Sequence, residues 1–147
     1  MPKGDYDGIS EQSRASGQRL ADARALLDAD RWRGSMYMAG YAVECLLKTK
    51  LMKMFDCRNL KELELGLKDR GIMATRDTIF TNQLEVLLRW CDGTERLRQD
   101  RALWRSFNLS NRWITGWCYS PDQADRDEAE AFLEATEDIL KWAESNL

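Results

Sequence analysis

Met36-Tyr37-Met38-Ala39-Gly40-Tyr41-Ala42-Val43-Glu44-Cys45-Leu46-Leu47-Lys48-Thr49-Lys50-Leu51 is the stretch on which the fold turns. Met36, Ala39, Gly40, Val43, Leu47, Leu51 and, further on, Phe55 recur at three-to-four spacing, so they share one helical face. The spacing predicts a helix from about Arg31–Gly34 to Phe55. A segment this long and this apolar belongs at the centre of a bundle. Ala39, Gly40 and Ala42 are small and let a neighbouring helix approach closely.

Outward from this segment the helical pattern continues. Ser10 is a candidate N-cap for a first helix striped by Leu20, Ala23, Leu26 and Leu27 and ending near Asp28-Ala29-Asp30. Downstream, Leu60, Leu63 and Leu67 mark a short third helix from Leu60 to Asp69, stopped at Arg70-Gly71. A fourth runs from Thr78 or Thr81 to Trp90. Asp92-Gly93 interrupts, and Thr94 caps a further turn or two through Leu97, Leu103 and Trp104. Helical periodicity fades between Phe107 and Ser120. The last helix is read as capped by Ser120, with Pro121 and Asp122 in its first turn and a stripe of Phe132, Ala135, Ile139, Trp142 and Ala143. No strand-like alternation or internal repeat interrupts this pattern. The expectation is one domain over residues 1–147, an all-α, up-and-down bundle of four to six helices, with residues 1–9 a flexible N-terminus.

Composition agrees with a folded, water-facing domain. The chain has 147 residues, 44% of them hydrophobic and 32% charged, which is enough to build one core. No apolar run is long enough to span a bilayer and no signal core follows Met1, so a cytoplasmic protein without membrane contact is expected. There is no histidine. Ser-His-Asp hydrolysis, Cys-His thiol chemistry, His-ligated zinc and imidazole acid–base catalysis are therefore excluded. Cys45, Cys57, Cys91 and Cys118 lie far apart, without a Cys-x-x-Cys pair, and read as reduced thiols rather than as a metal or disulfide set. No metal and no cofactor is expected.

The net charge of −3 is unevenly spread. Acids crowd the last helix. Lys48, Lys50, Lys53, Arg58 and Lys61 make one basic stretch, and Arg89, Arg96, Arg98, Arg101, Arg105 and Arg112 another. One account pairs acidic and basic faces within the fold or across a dimer. The other makes the basic stretches a surface for RNA or an acidic partner, although overall acidity argues against strong nonspecific nucleic-acid binding.

Ala39-Gly40-Tyr41-Ala42-Val43-Glu44-Cys45-Leu46-Leu47-Lys48 resembles the central-helix signature of HEPN domains, and the order of elements from Glu11 to Trp142 is similar to that family's. The resemblance implies a helical bundle that forms homodimers. Ribonuclease members carry an arginine, four to six residues and a histidine before the last helix. Some extend this to a tyrosine that a partner nucleotidyltransferase adenylylates. The matching stretch here is Arg112-Trp113-Ile114-Thr115-Gly116-Trp117-Cys118-Tyr119, with Trp117 in place of the histidine. Tyr119 becomes the candidate modification site. An indole exchanges no proton near neutral pH, and general acid–base catalysis contributes ~10²–10⁴-fold. A second copy brings no histidine either. The expectation is thus a catalytically silent, HEPN-like accessory or binding protein, partnering a nucleotidyltransferase in a toxin–antitoxin or defence system.

Two alternatives stand beside it. One is a non-standard ribonuclease using Arg112, Glu44 and Tyr119. The other is a nucleotide- or RNA-binding module without turnover. Candidate binding residues are Tyr41, Glu44, Lys48, Arg101, Arg105 and Arg112. Glu44 and Lys48 are four apart and pair on the helix, with Arg112 or another arginine as a further partner; the competing account makes Glu44 a pocket carboxylate. Tyr37 and Tyr41 share a face that either seals a dimer seam or stacks a base.

Overall fold

The structure, a computed structural model, describes residues 8–118 and 124–147, without the side chain of Cys118. Seven α-helices occur among the described residues: α1 (Ile9–Asp28), α2 (Trp32–Met54), α3 (Leu60–Asp69), α4 (Leu84–Trp90), α5 (Thr94–Arg98), α6 (Arg101–Ser110) and α7 (Arg126–Asn146). A 3-10 turn, Thr115–Cys118, lies between α6 and α7. Among the described residues there is no strand, only an isolated bridge between Gly8 and Asn59.

The molecule is assembled around α2. Every residue from Ala42 to Met52 is buried, charged ones included. α1, α3, α4 and α7 each pack against it, and α6 packs on α7. The α1–α2 hairpin is antiparallel. Its two buried serine bonds sit symmetrically about the connecting turn: Ser16 Oγ donates to the Ala42 carbonyl at 2.8 Å and Ser35 Oγ to that of Ala23 at 2.7 Å. The hydroxyls thus satisfy themselves where no water reaches.

Four helices stop in the same way. Asp30, Asp56, Gly71 and Asp92 follow the ends of α1, α2, α3 and α4 with φ of 60°, 52°, 72° and 56°. In each case the next N–H bonds back over the last turn: Arg31 to Leu26, Cys57 to Met52, Ile72 to Leu67 and Gly93 to Leu88, at 2.8–3.0 Å. The left-handed position is one that glycine adopts without strain. Three of the four carry aspartate instead, which adds a carboxylate at the negative end of the helix dipole.

Several boundaries differ from those the sequence suggests. Gly8, not Ser10, precedes α1, so residues 8 and 9 belong to the folded part rather than to a flexible end. Seven helices replace the expected four to six. The region after Trp90 is two helices, because the Asp100 carboxylate accepts from the Leu103 N–H at 3.1 Å and opens α6. Thr94 caps nothing; it is the first residue of α5, after Gly93. Periodicity persists through Phe107 to Ser110. α7 begins at Arg126, where Asp125 accepts from the Glu128 N–H at 2.8 Å. Ser120, Pro121 and Asp122 lie outside the described residues.

The tightest approach to α2 is made by an indole, not a helix. The Trp113 ring lies against Gly40, and a Cβ built there overlaps its Cγ and Cδ1 atoms. Trp113 Nε1 donates to the Tyr37 carbonyl at 2.9 Å, and the residue is 3% exposed. Gly40→Ala is expected to lower unfolding stability by about 1–3 kcal/mol, the usual cost of overpacking, measured by urea denaturation. Asp30→Gly, Asp56→Gly and Asp92→Gly should each raise stability by about 0.5–1 kcal/mol, by relieving left-handed strain and removing an unfavourable charge.

Candidate functional site

The sequence-selected residues fall into two groups, one on α2 and one on and after α6. The first is on α2. Tyr37, Tyr41 and Trp113 form a three-ring cluster, with centroids 5.8, 6.0 and 5.9 Å apart. Trp113 of the same chain thus packs on the face read as a dimer seam or a base-stacking platform, and both tyrosines stay half-buried. Burial and the nearby Glu44 push the Tyr41 hydroxyl above its ordinary pKa, while Arg19 opposes them.

One turn further along α2, Lys48 Nζ donates to Glu44 Oε1 at 3.2 Å. Both residues are almost sealed, at 6% and 3% exposure. Burial raises the Glu44 pKa from its ordinary 4.5, and the Lys48 ammonium pulls it down. A raised carboxyl pKa means the folded state holds its proton more tightly. Stability from this group therefore falls as pH rises from about 4.5 through the raised value. Arg112 is not the partner. It is exposed, in the turn after α6, and makes no ion pair with a described residue. Glu44 and Arg112 do not form a joint site, and Tyr119 lies outside the described residues.

The second group is on α6. Arg101 and Arg105 are exposed on its outer surface, and Arg112 is exposed in the turn that follows it. The acidic and basic faces pair only in part. Arg24 Nε meets Glu137 Oε1 at 3.0 Å, and Lys50 Nζ meets Glu144 Oε2 at 3.8 Å. Arg98 pairs with Glu95 at 2.9 Å and lies 5.1 Å over the Trp104 ring.

Trp117, which the sequence resemblance sets at the histidine position, is a packed aromatic. The half-buried Trp117 ring meets Phe132 edge-on at 5.4 Å, and the Arg33 guanidinium lies 4.7 Å from its centre. Neither Arg33 nor Phe132 is visible as its neighbour in the sequence, because they come from α2 and α7. The thiols are quiet. Cys45, Cys57 and Cys91 are free and buried, and burial pushes Cys45 up to about 11 and Cys91 to about 12. No group of acids and thiols among the described residues has metal-ligand geometry. No helix there is long and apolar enough to cross a membrane.

Two polar clefts escape the sequence reading. One of about 380 Å³ opens between Thr81–Glu85 and Asn111–Thr115. The other, about 490 Å³, shares Thr81, Gln83 and Glu85 with it and is edged by Arg76 and Arg89. Asn111 Nδ2 donates to Glu85 Oε2 at 3.0 Å where the walls of the first cleft meet. Their walls combine α4 with the preceding loop, and in the first cleft with the turn after α6, so no single stretch of sequence marks either cleft.

Comparison of the chain with protein-family models, with curated proteins and with solved structures gives no match.

The buried pair makes a direct prediction. Glu44→Ala leaves an ammonium unpaired in the core and should cost about 3–5 kcal/mol. Glu44→Leu with Lys48→Met should recover most of that loss, as read from denaturant midpoints.

Proposed function

We propose that this chain is a catalytically silent, HEPN-like helical module that acts through contacts rather than turnover. In this reading it is a cytoplasmic homodimer that partners a nucleotidyltransferase of a toxin–antitoxin or defence system. The central-helix signature on α2 supports the family reading. The observation that carries the silence is Trp117: the position that needs an exchangeable proton holds an indole, packed between Phe132 and the Arg33 guanidinium.

Other features support the same reading. The chain holds no histidine to substitute. Cys45 and Cys91 are protonated near neutral pH, so they are poor nucleophiles there. Glu44 is committed to Lys48 inside the core, away from substrate. Arg112 is exposed and makes no ion pair with a described residue, but an arginine that stays charged cannot act as a base.

The test is incubation of labelled tRNA and mRNA with purified protein, beside an Arg112→Ala variant. Neither should cleave above background, the expected consequence of losing a ~10²–10⁴-fold acid–base contribution. Cleavage by the wild type that Arg112→Ala abolishes overturns silence and establishes a histidine-free ribonuclease.

A further inference from the structure

We infer that the larger polar cleft, between the α3–α4 connection and α4, is a binding site for a small zwitterion of the amino-acid class with a polar side chain. Its volume of about 490 Å³ is in the range of sites that hold small molecules. Arg76, Asp77 and Thr78 supply one wall, and Gln83, Glu85 and Arg89 the other.

The first wall is a long strap. Residues 70–83 join α3 to α4 without helix or strand. Connections of this kind beyond about 12–15 residues are uncommon, and those that stay ordered usually serve a function. This one is held at two points. Met73 and Ile79 are buried, and the Glu64 carboxylate of α3 accepts the Ile79 N–H at 2.9 Å. Arg76 and Asp77 stand exposed between the anchors, on a turn in which the Asp77 N–H bonds the Ala74 carbonyl at 3.0 Å. The second wall is fixed too, because Leu84, Leu87 and Leu88 bury the inner face of α4. The cleft is therefore shaped before any ligand arrives.

The charges lining it do not satisfy one another. Glu85 and Arg89 are four apart on α4, in the order that favours a pair. Glu44–Lys48 and Glu64–Lys68 have the same order and spacing and do pair, at 3.2 and 3.7 Å. Glu85 instead accepts from Asn111 Nδ2 at 3.0 Å, and Arg89 forms no ion pair with a described residue. Arg76 and Asp77 form none either. Two guanidinium forks and a free carboxylate thus face one shared space.

The balance of charge selects the occupant. A guanidinium holds a carboxylate through two parallel N–H···O bonds, and Asp77 accepts from an ammonium. Two acids against two arginines leave the lining neutral overall, so a polyanion meets repulsion as well as attraction. A net-neutral dipole gains at both of its ends. Thr78, Thr81 and Gln83 add hydroxyl and amide groups, whereas the apolar lining is confined to Val86 and Trp90. That composition suits a polar side chain better than an aliphatic one.

The test is titration of the ¹⁵N-labelled full chain with each of the twenty amino acids, read from amide chemical shifts. An open cleft and a ligand of about ten heavy atoms predict a Kd of about 1 mM. Saturable shifts should centre on residues 76–78 and 83–89, with L-glutamine or another polar amino acid binding most tightly. Arg89→Gln and Asp77→Asn, at exposed positions that leave folding intact, should each weaken binding about tenfold, the worth of one hydrogen bond to a charged group. Arg96→Gln, outside the cleft, should leave it unchanged. Blocking either charge of the ligand, as N-acetyl-L-glutamine or L-glutaminamide does, should weaken binding to the same degree. No saturable shift from any amino acid at about 20 mM, well above the expected Kd, overturns the inference. So does undiminished binding of the N-acetyl derivative, or tightest binding by an aliphatic amino acid. Adenosine monophosphate that binds more tightly, and regardless of Asp77→Asn, makes the cleft a simple anion site and overturns it as well. The readout is independent of the RNA-cleavage assay, so either result can fail without the other.

Discussion

Burial of the second half of α2, Ala42 to Met52, on every side is the constraint from which the rest of the structure follows. A helix sealed all round must satisfy each polar group it carries without water. Its serine and threonine hydroxyls therefore turn to carbonyls: Ser35 to Ala23, and Thr49 to Cys45 at 2.8 Å. Its charged residues pair within reach, Glu44 with Lys48 and Lys50 with Glu144 at the end of α7. Such pairs add little net stability over apolar residues of the same size, but each partner becomes indispensable to the other. The same sealing makes Glu44 a structural element rather than an accessible base.

Trp113 links this core to the surface around the turn after α6. Its indole rests on Gly40, bonds the Tyr37 carbonyl and closes the Tyr37–Tyr41 face. That anchoring fixes the turn after α6, and with it Arg112 on one side and Trp117 on the other. One glycine on the central helix thus sets the position of a segment more than seventy residues away in the chain. Packing of one ring decides which neighbouring side chains face solvent.

The charge distribution has a comparable logic. Acids on α7 neutralise cations where helices touch, as with Arg24 and Lys50. On α6, Arg101 and Arg105 make no ion pair with a described residue although the chain as a whole is acidic. Net charge therefore describes solubility and long-range repulsion, whereas local segregation decides what a given face attracts.

The bundle class, the bounds of α2 and α3, the Gly71 stop and the buried thiols at Cys45, Cys57 and Cys91 were legible in the chain itself, because they depend on local periodicity, backbone freedom and residue type. The Glu44–Lys48 pair was legible for the same reason: four residues on a helix are neighbours whatever surrounds them. The caps at Asp100 and Asp125 and the split of α5 from α6 were not, since several polar residues in each region could accept the first free N–H. Tertiary structure alone decided that Trp113, rather than a second helix, fills the space at Gly40. It also placed Arg33 and Phe132 around Trp117, and left Arg112 outside while Glu44 went in. Those outcomes depend on which elements α2 gathers around itself, and sequence spacing carries no information about contacts between residues so far apart.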